Sequence, residues 1–283
     1  IQDHGSYRAV IDLSRGRDKV PTQVFEPAPG GEGSSHAIDP MNPAIVYSAG
    51  FYGTISRSDV VKRSSKRLLP RTYEDEPRLR GQWVAPFIIS PHSPNIIYHG
   101  MQYLLRSLDQ GNTWEQISTD LTYSTPSEMG DISYHTLTTI SESPLKYGLI
   151  YVGTDDGRVH MTRDGGKRWQ EIVEGLPHQK WVSRIVASAF DMNTVYMTQN
   201  GKHDDDFTPY VWKSTNYGKT WVDISKGIPL GPVNVIREDS KEKKTLYVGT
   251  DCGVYVTTDG GDTWNVLGGN LPMTYVHVLV IHP

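Results

Sequence analysis

Cysteine occurs once in the 283 residues, at Cys252, so neither an intramolecular disulfide framework nor a multi-cysteine zinc site can form. No run of eighteen apolar residues exists, and nothing in the chain reads as a membrane-spanning helix. Neither sign of charge prevails, with 28 Lys and Arg against 32 Asp and Glu and a formal net charge of −4. A chain without a basic excess lacks the field that gathers nucleic acid. Its one basic stretch, Arg57 to Arg80, contains Glu74, Asp75 and Glu76 and reads as a solvated loop. Sustained 3.6-residue apolar periodicity is missing, which leaves helices little part in the fold. The histidines show no H-E-x-x-H spacing and the serines no G-x-S-x-G, so zinc-protease and esterase chemistry have no foothold. No secretion signal is visible either, and the start at Ile1 suggests a mature product or a piece of a longer chain.

What the chain does have is repetition. Ser107–Trp114 (SLDQGNTW), Thr162–Trp169 (TRDGGKRW), Ser214–Trp221 (STNYGKTW) and Thr257–Trp264 (TTDGGDTW) fit one pattern, Ser/Thr-x-Asp/Asn-x-Gly-x-Thr/Arg-Trp. Each lies between two short β-type runs, which predicts a hairpin. The acceptor at the third position can bond the N–H groups of its own turn, and the glycine two residues on can take positive φ. The tryptophan returns into the second strand and is expected to be largely buried. Because their acceptors are occupied by the turn, Asp109, Asp164, Asn216 and Asp259 are read as structural. Asn216 agrees, since an amide can replace a turn acceptor but not a catalytic acid. Trp114, Trp169, Trp221 and Trp264 are placed in the packing between repeats.

A second element precedes each turn: an apolar strand, a polar or Pro-containing turn, a strand ending in Tyr and small residues, then a Gly-containing loop. Joined to the hairpin it makes four antiparallel strands, a to d, recurring at about fifty residues, a propeller-sized interval. Five such units are expected, at approximately 36–82, 83–132, 133–180, 181–231 and 232–275. Residues 1–35 with 276–283 read as part of a sixth. The opening IQDHGSYRA aligns with GTDDGRVHM and GTDCGVYVT, so Ile1 reads as the end of a strand b that leads into strand c, with strand d over Thr22 to Pro27 and Val276 to His282 as a strand a that pairs with the N-terminal strands or lies at an unsealed edge. The fold class expected is therefore all-β, a propeller of four-stranded blades in one domain, read as a segment of a longer chain.

The repeated octet resembles the Asp-box, or BNR repeat, and over nearly its whole length the chain resembles bacterial BNR-repeat propellers described as glycosyl hydrolase-like or sortilin-like. The resemblance implies an extracytoplasmic protein, secreted, periplasmic or at the cell surface. It departs from sortilin-type receptors in lacking their cysteine-rich module. It departs from sialidases in lacking their arginine triad and Arg-Ile-Pro motif, with only Arg184 inward. The thrice-repeated Asp-x-Gly, at Asp3, Asp155 with Asp156, and Asp251, also resembles loops of xyloglucanase-type endoglucanases, one of which carries a catalytic Asp.

In a propeller the b-to-c and d-to-a loops open on one face. That face takes Asp3, Phe51, Tyr52, Asp155, Asp156, Asp251 and the insertion Lys202 to Phe207 from the former. From the latter it takes Trp83, His135, His178, Trp181, Arg184, Asn234, Tyr275 and His277. Rings that can stack on sugars beside carboxylates that can share acid and base work suit a carbohydrate site. Asp204, Asp205 and Asp206 offer hard oxygens to calcium, but adjacent side chains diverge and a solvated acidic loop is the favoured reading; no cofactor is expected. Three functions stay open. One is a binding module presenting this face to a glycan, protein or peptide, using Asp3, Trp83, His135, Trp181, Arg184 and His277. Another is a glycoside hydrolase using Asp155, Asp156 and Asp251, and the third is an architectural subunit of a larger assembly.

Overall fold

A computed structural model describes residues 5–12, 14, 16, 19–20, 22–32, 34–70, 78–125, 127, 133–269 and 271–281. Among them are no α-helices, only short 3-10 turns such as Phe51–Gly53 and Lys202–Asp204. The chain opens with β1 (Tyr7–Arg8) paired antiparallel to β2 (Glu26–Pro27). Five four-stranded sheets follow, each an antiparallel meander in chain order. The first comprises β3 (Ser35–Ile38), β4 (Ile45–Ala49), β5 (Ile55–Asp59) and β6 (Ser64–Arg67). The second comprises β7 (Phe87–Ser90), β8 (Ser93–Gly100), β9 (Leu104–Ser107) and β10 (Glu115–Gln116). The third holds β11 (Leu137–Glu142), β12 (Ile150–Thr154), β13 (Val159–Thr162) and β14 (Gln170–Glu171). The fourth holds β15 (Trp181–Ala187), β16 (Val195–Gly201), β17 (Asp206–Ser214) and β18 (Val222–Asp223). The fifth holds β19 (Val233–Glu238), β20 (Leu246–Thr250), β21 (Gly253–Thr257) and β22 (Asn265–Val266).

The sheets pack face to face, which is why their inner strands do not alternate. All five residues of β12 are buried, as expected of a strand covered on both faces. Core clusters accordingly straddle neighbouring sheets: Tyr151, Val159 and Met161 of the third pack with Ile185, Met197 and Trp212 of the fourth. The first strands of successive sheets, β7, β11, β15 and β19, lie against one another. The fourth strands, two exposed residues each from β10 onward, form the outer rim, and such short edges give little template for pairing with another chain.

Four hairpins carry the repeated octet, and their bonding is identical. The first-position hydroxyl of Ser107 accepts from the N–H of Asp109 and Gly111 and donates to Asp109 Oδ1, which accepts from Thr113 N–H at 2.8 Å. The same set recurs at Thr162 and Asp164, at Ser214 and Asn216, and at Thr257 and Asp259. Each turn also grips the preceding sheet. The indole N–H groups of Trp114, Trp169, Trp221 and Trp264 donate to the carbonyls of Leu68, Ile117, Ile172 and Ile224 at 2.6 to 2.8 Å. A Cβ on Gly111, Gly218 or Gly261, all at positive φ, would come within 3.0 Å of the side chain of Leu68, Ile172 or Ile224. Glycine there is thus required twice over, by conformation and by contact.

The four tryptophans depart in part from the burial expected of them. Trp264 is buried, at 8% exposure, but the rings of Trp114, Trp169 and Trp221 are only partly buried. They sit at the rim, where the short fourth strands leave one edge of each indole in water.

The C-terminal residues follow the first-strand path without forming a ladder. Thr138 Oγ1 donates to Val182 O, and Ser183 Oγ to Val233 O, joining the first strand of one sheet to that of the next. Asn234, at the same bulge position of β19, donates to Val276 O, and Arg237 Nε to Leu279 O at 3.0 Å. The segment 276–281 therefore lies beside β19 where a further first strand would lie. It is not assigned as strand, and no pairing joins it to β1 or β2 among the described residues.

Candidate functional site

At the end of β12 the chain turns through Asp155 and Asp156, both only 2% exposed. Backbone pairing sets the position, with Asp155 N–H donating to Thr136 O. The Asp155 carboxylate then accepts from Thr136 N at 2.8 Å, Thr136 Oγ1 at 2.6 Å and Gln82 Nε2 at 2.9 Å. Asp156 accepts from Tyr123 N at 2.8 Å, from the Thr154 hydroxyl, and lies 2.7 Å from His135 Nδ1. Burial pushes the Asp155 carboxyl up to about 6, against the lowering effect of the Thr136 donors. Each carboxylate is thus fully engaged inside the protein.

Beside this buried pair lies an exposed aromatic group. Trp83, 39% exposed, packs on Phe51 with ring centroids 4.4 Å apart and edge-on to Tyr52 at 5.4 Å. Tyr52 is held at φ 56° by its N–H donating to Gln82 O. Gly81 allows this approach, since a Cβ there would stand 2.5 Å from the Tyr52 carbonyl carbon. Further round, Tyr123 stacks with His178 at 6.4 Å and carries the Arg158 guanidinium 5.1 Å above its ring.

The fifth sheet repeats the Asp-x-Gly loop with different surroundings. Asp251 N–H donates to Pro232 O, as Asp155 does to Thr136 O. Its carboxylate accepts from Asn234 Nδ2 at 2.9 Å and pairs with Lys202 Nζ at 3.0 Å. The Asp251 side chain remains 19% exposed. Lys202 also lies 5.5 Å above the ring of Tyr275, which stacks with His277 at 6.0 Å. Trp181 stacks on His203 at 5.3 Å. Loss of water, and then the Arg184 guanidinium, holds the His277 imidazole below its ordinary pKa.

The sequence reading set Asp155, Asp156 and His135 on an open face; the structure buries all three, because Gln82, Tyr123 and Thr136 close over them. Trp83, Trp181, Arg184, Asp251 and His277 are each exposed or partly exposed. Asp3 lies outside the described residues. In the acidic insertion, Asp204 and Asp206 both pair with Lys180 Nζ, at 3.1 and 3.2 Å, and Asp206 also accepts from Tyr210 OH. Among the described residues no three metal-type side chains converge. A cleft of about 640 Å³ opens elsewhere, between β2 and the first sheet, lined by Arg8, Glu26, Asp59 and Arg63 among others. Sequence reasoning missed Gln82, Thr136 and Arg237. Only Arg237 left a signal, as a charged residue within the apolar first strand VNVIRE.

No protein-family model matches the chain. Xyloglucanase Xgh74A of Acetivibrio thermocellus is 25% identical over 183 residues, an alignment taking in 50% of this chain and 21% of that protein. The crystal structure of the GH74 xyloglucanase from Xanthomonas campestris superposes with a TM-score of 0.60 at 18% identity, covering 84% of this chain and 38% of the other. The GH74 enzyme of Niastella koreensis gives 0.55 at 19% identity, with 83% and 38% covered. The chain thus spans well under half the length of the proteins it matches. Its fold is that of these glycosyl hydrolase-type propellers.

Proposed function

We propose that this chain is a propeller unit of a polysaccharide-degrading protein, that its loop face holds a glycan of the β-glucan kind, and that Asp251 takes part in hydrolysis. The observation that carries the reading is the run of rings, exposed at Tyr52, Trp83 and Tyr123 and partly exposed at Trp181, on the face that also carries the partly exposed Asp251. Rings of this kind cover the apolar faces of sugars, while carboxylates exchange protons with the glycosidic oxygen or with water. Similarity to a xyloglucanase, and the fold shared with two GH74 enzymes, support the substrate class. In this reading the four octets are Asp-boxes of the BNR type, and the β1–β2 pair with the 276–281 segment belongs to a sixth blade of a larger ring. A polymeric substrate places the protein outside the cytoplasm, and no helix among the described residues is long and apolar enough to cross a membrane.

A second reading, glycan binding without turnover, is favoured by the two buried carboxylates, which are bonded much as structural acids are. Both readings are tested with the full-length protein on xyloglucan, mixed-linkage β-glucan and cello-oligosaccharides. Reducing ends and retention in glycan-loaded gels are measured, with Trp83→Ala as the binding control. Release of reducing ends, together with retention weakened about tenfold by Trp83→Ala, is the expected result. Retention without release decides for the second reading, and neither on any glycan sinks both.

A further inference from the structure

One loop holds two of the groups that the ring-bearing face would offer to a ligand. Residues 202–205 join β16 to β17, with Lys202–Asp204 in a 3-10 turn closed by Asp205 at φ 55°. From this turn His203 stacks on Trp181, with ring centroids 5.3 Å apart and planes inclined by 29°. From the residue before it, Lys202 Nζ donates to Asp251 Oδ2 at 3.0 Å. The Lys202 backbone is tied to the same acid from the other side. Its N–H donates to Asn200 Oδ1, Asn200 Nδ2 donates to Asn234 Oδ1, and Asn234 Nδ2 donates to Asp251 Oδ1, each at 2.8 or 2.9 Å. A closed ring of hydrogen bonds thus joins the turn to both oxygens of Asp251.

A lysine outside the loop fastens it. Lys180, just before β15, pairs with Asp204 at 3.1 Å and with Asp206 at 3.2 Å, one carboxylate on each side of Asp205. Its side chain is only 17% exposed, although lysine ordinarily keeps its ammonium in water. The backbone beneath it is braced. A Cβ on Gly157 would stand 2.7 Å from Gln179 Cα and from Lys180 N, so the Asp-x-Gly loop of the third sheet lies against it, and Gln199 Nε2 donates to Lys180 O at 3.4 Å. The loop itself has Lys202, His203, Asp204 and Asp205 all exposed, so little apolar burial opposes its release. We propose that residues 202–205 are a strap, fastened by Lys180, that keeps a ligand from Trp181 and Asp251 until it lifts. In the fastened arrangement His203 lies on the ring that a sugar would cover, and the Lys202 ammonium holds the surface oxygen of the carboxylate. Lifting breaks ion pairs that are individually weak and that salt screens, and ligand affinity is lowered by the fraction of molecules in which the strap is down. That the ligand is a glycan rests on the reading above; the fastening of the strap does not.

Fluorine NMR of the full-length protein labelled with 5-fluorotryptophan reads the strap directly, through the solvent-isotope shift of the Trp181 signal, which grows with contact to water. Trp181→Phe assigns the signal, and His203→Ala sets its value for an uncovered ring. Lys180→Gln is expected to move the wild-type value toward that of His203→Ala. Raising sodium chloride from about 0.02 to about 0.5 M is expected to do the same in the wild type and to have little effect in Lys180→Gln. Calorimetric affinity for xyloglucan oligosaccharide should rise about two- to tenfold in Lys180→Gln. A Trp181 signal that Lys180→Gln leaves at the wild-type value overturns the proposal, and so does an uncovered Trp181 with glycan affinity equal to that of the wild type. If neither protein binds a glycan, the glycan reading alone fails, and the fluorine signal still decides for or against the strap. Should Lys180→Gln not fold, the salt series on the wild type, set against His203→Ala, makes the same decision.

Discussion

The Asp-x-Gly loops of the third and fifth sheets share a sequence pattern, a backbone bond and a position, yet one acid is sealed and the other is open. In the third, Thr136 supplies both an N–H and a hydroxyl to Asp155, and Gln82 reaches in from the preceding connection. In the fifth, the residue whose carbonyl accepts the same bond is Pro232, which has neither N–H nor hydroxyl to offer. Asp251 is left to Asn234 and Lys202 at the surface. A motif in a repeat protein thus does not carry its chemistry with it. The residue facing it across the neighbouring loop decides whether a carboxylate is structure or reagent.

The largest effect expected from this contrast is on turnover. Asp251→Asn keeps the shape of the side chain and one of its two acceptors, gives up the ion pair with Lys202 at the surface, and cannot exchange a proton, so glycan hydrolysis should fall about 10²- to 10⁴-fold, with the melting temperature nearly unchanged. Full activity in this variant would remove Asp251 from the chemistry. The converse change is to stability. Asp155→Ala leaves the Thr136 and Gln82 donors buried and unpaired and should cost about 2 to 4 kcal/mol by chemical denaturation. A loss below about 0.5 kcal/mol, the range of ordinary surface substitutions, would mean that water reaches the site and that the two loops are alike.

Acidity sharpens the same comparison. The Asp155 carboxyl titrates at about 6 in the folded protein and at about 3.9 in an unfolded chain. Between those values the folded state holds the extra proton, so this acid's contribution to stability falls as pH rises from about 4 to about 6, by about 2 to 3 kcal/mol. The turn acids behave oppositely. Thr113 N–H holds the Asp109 carboxyl below its ordinary range, Arg168 N–H does so for Asp164, and the Thr257 hydroxyl for Asp259. Their contribution is present above about pH 4 and is lost as pH falls through their folded values. Melting curves from pH 3 to 7 should therefore flatten between 4 and 6 in Asp155→Asn and keep the wild-type loss below 4. An unchanged slope above pH 4 in that variant would contradict the burial account.

Local bonding explains what was legible in the sequence. Every bond of the octet turn lies within five residues, from Ser107 to Gly111 or Asp109 to Thr113, so eight letters suffice to read it. The strands around it were legible for the same reason. The candidate site was legible as a list of residues on one face but not as a set of environments. Gln82 meets Asp155 across 73 residues of chain, and Lys202 meets Asp251 across 49, contacts that depend on how sheets stack. Arg237 escaped notice because a charged residue in a first strand acquires meaning only when the Leu279 carbonyl meets it across 42 residues of chain. The partial exposure of Trp114, Trp169 and Trp221 likewise reflects how little the two-residue rim strands cover.

The smallest expected effect tests the comparison most directly, by giving the fifth sheet the residue of the third. Pro232→Thr would supply the N–H and hydroxyl that Thr136 supplies to Asp155. Losing the proline restores freedom to the unfolded chain, worth about 0.4 to 1 kcal/mol, while a new hydrogen bond returns about 0.5 to 1.5 kcal/mol. Stability should therefore move by no more than about 1 kcal/mol in either direction. The informative readout is the Asp251 carboxyl itself, followed by its NMR chemical shift in a selectively labelled sample. Donors added by Pro232→Thr compete with Lys202 and turn the carboxylate inward, so its chemical shift should change and any hydrolysis should drop several-fold. Such a result makes Pro232 the residue that keeps this loop open. If chemical shift and activity both match the wild type, the openness of Asp251 comes from Lys202 and Asn234 instead, and the difference between Thr136 and Pro232 in the two loops is incidental.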